Sequence, residues 1–234
     1  LSFFDELMIK LKELEYHYAN INEALAFLLA SLSLAVAYIV EAPSVFSVVK
    51  NPLYSIILIL IPIVVGVLTI VPHELAHRQM ARRFGCGSRF ILSFRGFLIT
   101  LLINLFHFIT GFLVFFSGYT GINCYFGGNF DTKIQGKTAA AGPATNIAIS
   151  VVSIVIFYLL IFIEPHNLIR TNIGFFFVEQ FFLELSNFNA YVAFFNLIPF
   201  WVLDGLKIIR WDIKVWIALL IPSLILTFVA PFGY

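Results

Sequence analysis

Charge is scarce in this sequence. Asp, Glu, Lys and Arg make up 12% of its 234 residues, about half the share of an ordinary soluble domain. Hydrophobic residues make up 61%, and the mean hydropathy is +0.97. This balance excludes a water-soluble domain with a polar exterior and indicates an integral membrane protein. A net charge of +1 carries little further information, because the placement of basic residues orients a membrane protein more than their sum does. Cysteine is equally sparse. Cys86 and Cys124 have no C-x-x-C spacing, so neither a disulfide framework nor a cysteine metal site is expected, and each reads as a small buried or interfacial residue. No cleavable leader is expected either, since the first 21 residues carry both signs of charge.

What is present is a series of apolar runs. Residues 1–21 place Phe4, Leu7, Met8, Leu11, Leu14, Tyr18 and Ile21 at helical spacing with acids and lysines between them, which reads as an amphipathic interfacial helix, or equally as a helix packed on the rest of the protein. Residues 22–234 read as one membrane-embedded domain. Within it, 24–40, 53–72, 139–163, 185–203 and 211–232 are candidate spans. The stretch Gly96–Ser117 is apolar enough for a sixth. Five arginines (Arg78, Arg82, Arg83, Arg89 and Arg95) precede it, and Lys133 and Lys137 follow it. The positive-inside rule then favours a segment that dips into the membrane and returns. Its Ile, Thr, Phe and Val content suggests strand there, with an unbroken helix over 97–116 as the alternative. A polar, glycine-rich stretch follows, with Gly127-Gly128-Asn129 as a turn signal. The expected fold class is therefore an all-α polytopic membrane protein with about five to six transmembrane helices and a re-entrant strand-rich segment.

The chemistry begins at His73-Glu74-Leu75-Ala76-His77, an H-E-x-x-H motif at the end of an apolar run. Residues four apart on a helix share a face, so the two imidazoles can reach one metal while Glu74 stands beside them. Catalytic zinc commonly takes three protein ligands and a water, so a third ligand is needed elsewhere. Asp204 is the candidate. It follows Asn196-Leu-Ile-Pro199 and precedes Gly205, where a helix is weakened and ends, and coordination of a cation would offset the cost of a carboxylate at membrane depth. The plainer reading, Asp204 capping a turn or pairing with Lys207, weakens once the motif is taken into account. His107 reads as a satisfied polar group, and His17 and His166 as solvated ones.

H-E-x-x-H, then A-A-G-P-x-x-N ending at Asn146, then N-x-x-P-x-x-x-L-D-G from Asn196 to Gly205, in this order and each in an apolar run, resembles the site-2 protease family of intramembrane zinc metalloproteases. The resemblance spans about residues 53–210. It implies one zinc ion held by His73, His77 and Asp204, Glu74 as catalytic base, and a re-entrant β segment after the zinc helix. Ser117-Gly118-Tyr119-Thr120-Gly121 departs from the Pro-x-Gly-Gly turn of many relatives. No PDZ-like insertion is visible. Asn196 and, second, Asn146 are candidates for oxyanion or substrate binding. The expected partners are a transmembrane protein substrate and the lipid bilayer, with no nucleic acid, and the expected location is a prokaryotic cell membrane with the site toward the cytoplasm. A substrate helix must unwind to be cut, and an edge strand of the re-entrant segment could pair with it. A metal transporter or a catalytically silent substrate-binding homologue is the alternative, because intramembrane His, Glu and Asp also build ion pathways.

Overall fold

A computed structural model describes residues 3–46, 52–111, 113–124, 131–163, 173–200 and 202–229. The expected turn at Gly127–Asn129 and His166 lie outside the described residues. The described elements, in chain order, are α1 (Phe3–Ala19), α2 (Glu23–Phe46), α3 (Pro52–Arg83), β1 (Gly87–Leu92), α4 (Phe94–Leu105), α5 (His107–Thr110), β2 (Gly118–Asn123), α6 (Thr132–Ile163), α7 (Ile173–Leu197), α8 (Asp204–Trp211) and α9 (Ile213–Val229).

Helix dominates, as the apolar runs require where water cannot satisfy the backbone. Among the described residues, three helical stretches are long and apolar enough to cross a membrane: Glu23–Val40 within α2, and α3 and α6, each of 32 residues. The helix α7 has 25 residues but carries Glu179, Glu184, Asn187, Asn189 and Asn196, and α9 has 17 residues. The expected run 185–203 is not helical throughout, because α7 stops at Leu197 just ahead of Pro199. In the core, Leu34 of α2, Val65 and Ile70 of α3, Phe90 of β1 and Phe188 of α7 are almost fully buried. A smaller cluster joins Ala139 of α6, Leu197 and Ile208.

The segment after α3 corrects the sequence expectation. Gly96–Ser117 is not strand-rich. It is mostly the helix α4, with a short turn of helix ending at Gly111, whose φ of +65° suits glycine. The alternative of an unbroken helix over 97–116 also fails, since α4 ends at Leu105. The strands flank this segment instead. β1 and β2 pair antiparallel from Gly87↔Asn123 to Leu92↔Gly118, and Ser93 N donates to Ser117 O at 3.0 Å. The segment therefore leaves and returns at the same point.

Its return limb, residues 113–117, is neither helix nor strand, and side chains satisfy its backbone. The Asn104 amide binds both N and O of Val114 at 3.0 Å, Thr100 Oγ1 accepts from Phe116 N at 2.8 Å, and Tyr191 donates to Leu113 O at 2.7 Å. Irregular backbone among apolar helices is tolerable only when covered in this way. Gly96 permits the approach, because a Cβ there would fall 1.8 Å from Phe116 O.

The cysteine expectation is also corrected. Cys86 and Cys124 form a disulfide, with their Cα atoms 4.3 Å apart. They sit one residue outside the terminal pair Gly87↔Asn123, so strand pairing rather than sequence spacing brings them together. At the other end, Glu15 of α1 accepts from Arg95 N at 3.0 Å and from Ser93 Oγ at 3.2 Å, and Tyr18 stacks on Phe94. The C-terminal part of α1 is thus packed on the protein, while Phe3, Phe4, Leu7 and Met8 remain exposed.

Candidate metal centre

His73 and His77 sit on α3, held in place from two sides. Arg78, the next residue, pairs with Glu23 of α2 at 3.0 Å, and the same carboxylate accepts from Phe90 N of β1 at 2.9 Å. On the other side α6 packs against the imidazoles at Gly142. A Cβ there would lie 2.4 Å from His77 Nε2 and 2.6 Å from His73 Nε2. The small-residue run Ala139–Gly142 is therefore what lets two helices close over two rings.

The outer ring nitrogens fix the tautomers. His77 Nδ1 lies 2.7 Å from Thr138 O, a carbonyl that can only accept, so Nδ1 carries the proton. His73 Nδ1 meets Asn146 Oδ1. The Asn146 amide nitrogen donates to Thr69 O at 3.0 Å and to Asn189 Oδ1 at 2.6 Å, which leaves its oxygen to accept from His73. Asn189 in turn donates to Thr69 Oγ1 and Leu185 O. Both imidazoles consequently turn Nε2 inward.

Asp204 arrives from the start of α8. Gly205 makes this possible, since a Cβ there would fall 2.1 Å from Leu197 O. Asp204 Oδ2 lies 3.0 Å from His77 Nε2 and 3.5 Å from His73 Nε2, and the two Nε2 atoms are 3.0 Å apart. Its other oxygen pairs with Lys207 Nζ at 3.2 Å, which leaves Oδ2 facing the imidazoles. All three side chains are buried. Two ring nitrogens and a carboxylate oxygen converging in a buried space repel one another unless a proton or a metal cation lies among them. Tetrahedral ligands about 2.0–2.1 Å from zinc lie roughly 3.3 Å apart, and the observed separations fit such a donor set. Among the described residues this trio is the group of metal-ligating side chains that comes together.

Glu74 lies on the same turn, buried, with Oε2 2.7 Å from Thr120 Oγ1 of β2. It borders a cavity of about 930 Å³ together with the three candidate ligands. One wall is β2 and the start of α4, another is Phe200 with Val202, Leu203 and Asp204, and Phe115, Phe116, Ile99 and Leu203 make the lining largely apolar. Asn196 reaches this cavity, with one N–H donated to Val192 O at 2.9 Å. Asn146 does not line it. Its amide is committed behind His73, which makes it a positioning group in place of the substrate-binding role expected of it. His107 is remote from the cluster, with its ring near Tyr38.

Sequence reasoning missed three contributors. Thr138 acts through its backbone carbonyl, which leaves no side-chain signature. Asn189 was visible only as a polar residue in an apolar run. Thr120 lay within the stretch that departs from the family turn.

No family model matches the chain, and no solved structure matches it. Over 193 residues, 81% of this chain and 85% of the other, it is 26% identical to a Methanocaldococcus jannaschii protein named "putative zinc metalloprotease".

Proposed function

We propose that this protein is an intramembrane zinc metalloprotease of the site-2 protease kind, hydrolysing a peptide bond within or beside a transmembrane segment of a substrate protein. The observation that carries the reading is the convergence of His73 Nε2, His77 Nε2 and Asp204 Oδ2, all buried, with the Glu74 carboxylate on the same cavity. The similarity to the M. jannaschii protein agrees with it. When bound there, zinc supplies Lewis acidity, polarising a carbonyl oxygen and acidifying water.

The chain's own groups then have distinct tasks. Glu74 takes the proton of the attacking water and returns it to the leaving amine. Asn196, on the cavity wall, offers its remaining amide hydrogen to the oxyanion. Lys207 holds Asp204 by the oxygen turned away from the imidazoles. The apolar walls exclude bulk water and suit the side chains of an unwound transmembrane segment. β2 borders the cavity and is paired on one side by β1, so a substrate strand joining its other edge is consistent with the site. We place the site at the cytoplasmic face of a prokaryotic membrane, in a multi-pass chain, on the placement of the basic residues.

The test uses purified protein in detergent with a tagged single-span membrane protein as substrate. Wild type is expected to hold one zinc per chain and to cleave. Glu74→Gln should keep zinc and lose cleavage by at least about a hundredfold, and Asp204→Ala should lose zinc as well. Full zinc retention in Asp204→Ala overturns the ligand set. Metal flux across vesicles without cleavage favours a transporter.

A further inference from the structure

Thr120 is accounted for by neither the motifs nor the ligand cluster. It lies 46 residues from Glu74 in sequence, yet its Oγ1 stands 2.7 Å from Glu74 Oε2 and 3.3 Å from the Glu74 backbone carbonyl. A hydroxyl has one hydrogen, and the shorter contact, to the carboxylate, takes it. Among the described residues, Thr120 is the hydrogen-bond donor to that carboxylate.

The hydroxyl is rigidly mounted. Thr120 pairs with Phe90 across the two strands. The Phe90 ring is buried and stacks on Phe27 with centroids 4.3 Å apart, and its backbone N–H is held by Glu23 at 2.9 Å. Glu23 also clamps Arg78 on α3. Glu74 and Thr120 are therefore referred to one another through the same Glu23 clamp. A glutamate has three rotatable bonds, and a largely apolar cavity offers its carboxylate few other partners.

We propose that Thr120 is a positioning residue: its hydroxyl fixes Glu74 Oε2 and so leaves Oε1 as the oxygen that takes and returns the proton. This rests on the protease reading given above. It differs from a merely structural role for Thr120, because valine keeps the branched shape and the strand preference and loses only the hydroxyl.

The experiment compares wild type, Thr120→Val and Thr120→Ser with a single-span transmembrane substrate, measuring kcat, KM and bound zinc separately. Thr120→Val is expected to lower kcat at least about tenfold with KM within twofold and zinc unchanged, and Thr120→Ser to recover most of the loss. A Thr120→Val protein within twofold of wild type in kcat, a change confined to KM, or a Thr120→Ser protein as impaired as Thr120→Val overturns the inference while leaving the protease reading intact. Should Thr120→Val lose zinc, Thr120→Ser against Thr120→Ala makes the same decision. A zinc-loaded wild type that cleaves nothing overturns the protease reading, and this inference with it.

Discussion

Each imidazole is oriented by a group that sees only its outer nitrogen, and the two arrangements differ. His77 relies on a backbone carbonyl, whereas His73 relies on a side-chain relay from Asn189 through Asn146. Such outer partners typically contribute 10–100-fold to metal affinity. Asn189→Leu is therefore expected to weaken zinc binding by about tenfold or more, because Asn146 and Thr69 lose a shared partner; competition against a chelator reads the change, and unaltered affinity would show that Asn146 orients His73 unaided. Gly142 is more restrictive. Gly142→Ala places a methyl within 2.6 Å of both Nε2 atoms, so it should abolish stoichiometric zinc in a protein that still purifies as a monodisperse species. Retention of one zinc per chain would mean that α6 can move away from α3 at no great cost.

At the level of elements, the site was easier to read from sequence than the scaffold around it. His73 and His77 were legible as a pair because helix periodicity restricts their spacing, and Asp204 because a carboxylate in an apolar run beside Pro199 and Gly205 needs a partner; the structure brings the three together. The strands were misplaced because a β-branched, aromatic run such as Gly96–Ser117 has the composition of strand, while most of it is the helix α4 and its return limb is held irregular by Asn104, Thr100 and Tyr191 satisfying the backbone from a distance. The disulfide was unreadable for a related reason: a separation of 38 residues says nothing until β1 and β2 are paired. That pairing now yields a prediction. Cys86→Ser opens a covalent loop of that length, a change typically worth about 2–4 kcal/mol, so the thermal midpoint in detergent should fall by several degrees. Unreduced, denatured wild type should present no free thiol; two titratable thiols would remove the bridge from the account of the fold.

What matters for the whole molecule is which end faces which compartment. Arg82 at the end of α3, Lys133 at the start of α6 and Lys214 at the start of α9 are exposed and lie toward the end that carries the metal cluster, while Ile163 closes α6 about 48 Å away along its axis. Ten of the fourteen basic residues lie between Arg78 and Arg95, between Lys133 and Lys137, or between Lys207 and Lys214, and the proposal that this end faces the cytoplasm rests on that distribution through the positive-inside rule. The disulfide sits at the same end, although cytoplasmic disulfides are rare outside hyperthermophiles. The two indications point in opposite directions, and a single labelling experiment separates them. With the native bridge kept, cysteines introduced singly at Arg82, Lys133, Lys214 and Ile163 are exposed to a membrane-impermeant maleimide on intact cells. The charge distribution predicts that the Ile163 position reacts at once and the other three only after permeabilisation. The reverse pattern would place the metal centre and its disulfide outside the cell. Reaction at the Lys133 position without reaction at Arg82 would mean that the chain crosses the membrane between them, contrary to the return of the segment 93–117 to its starting point, where Ser93 N donates to Ser117 O.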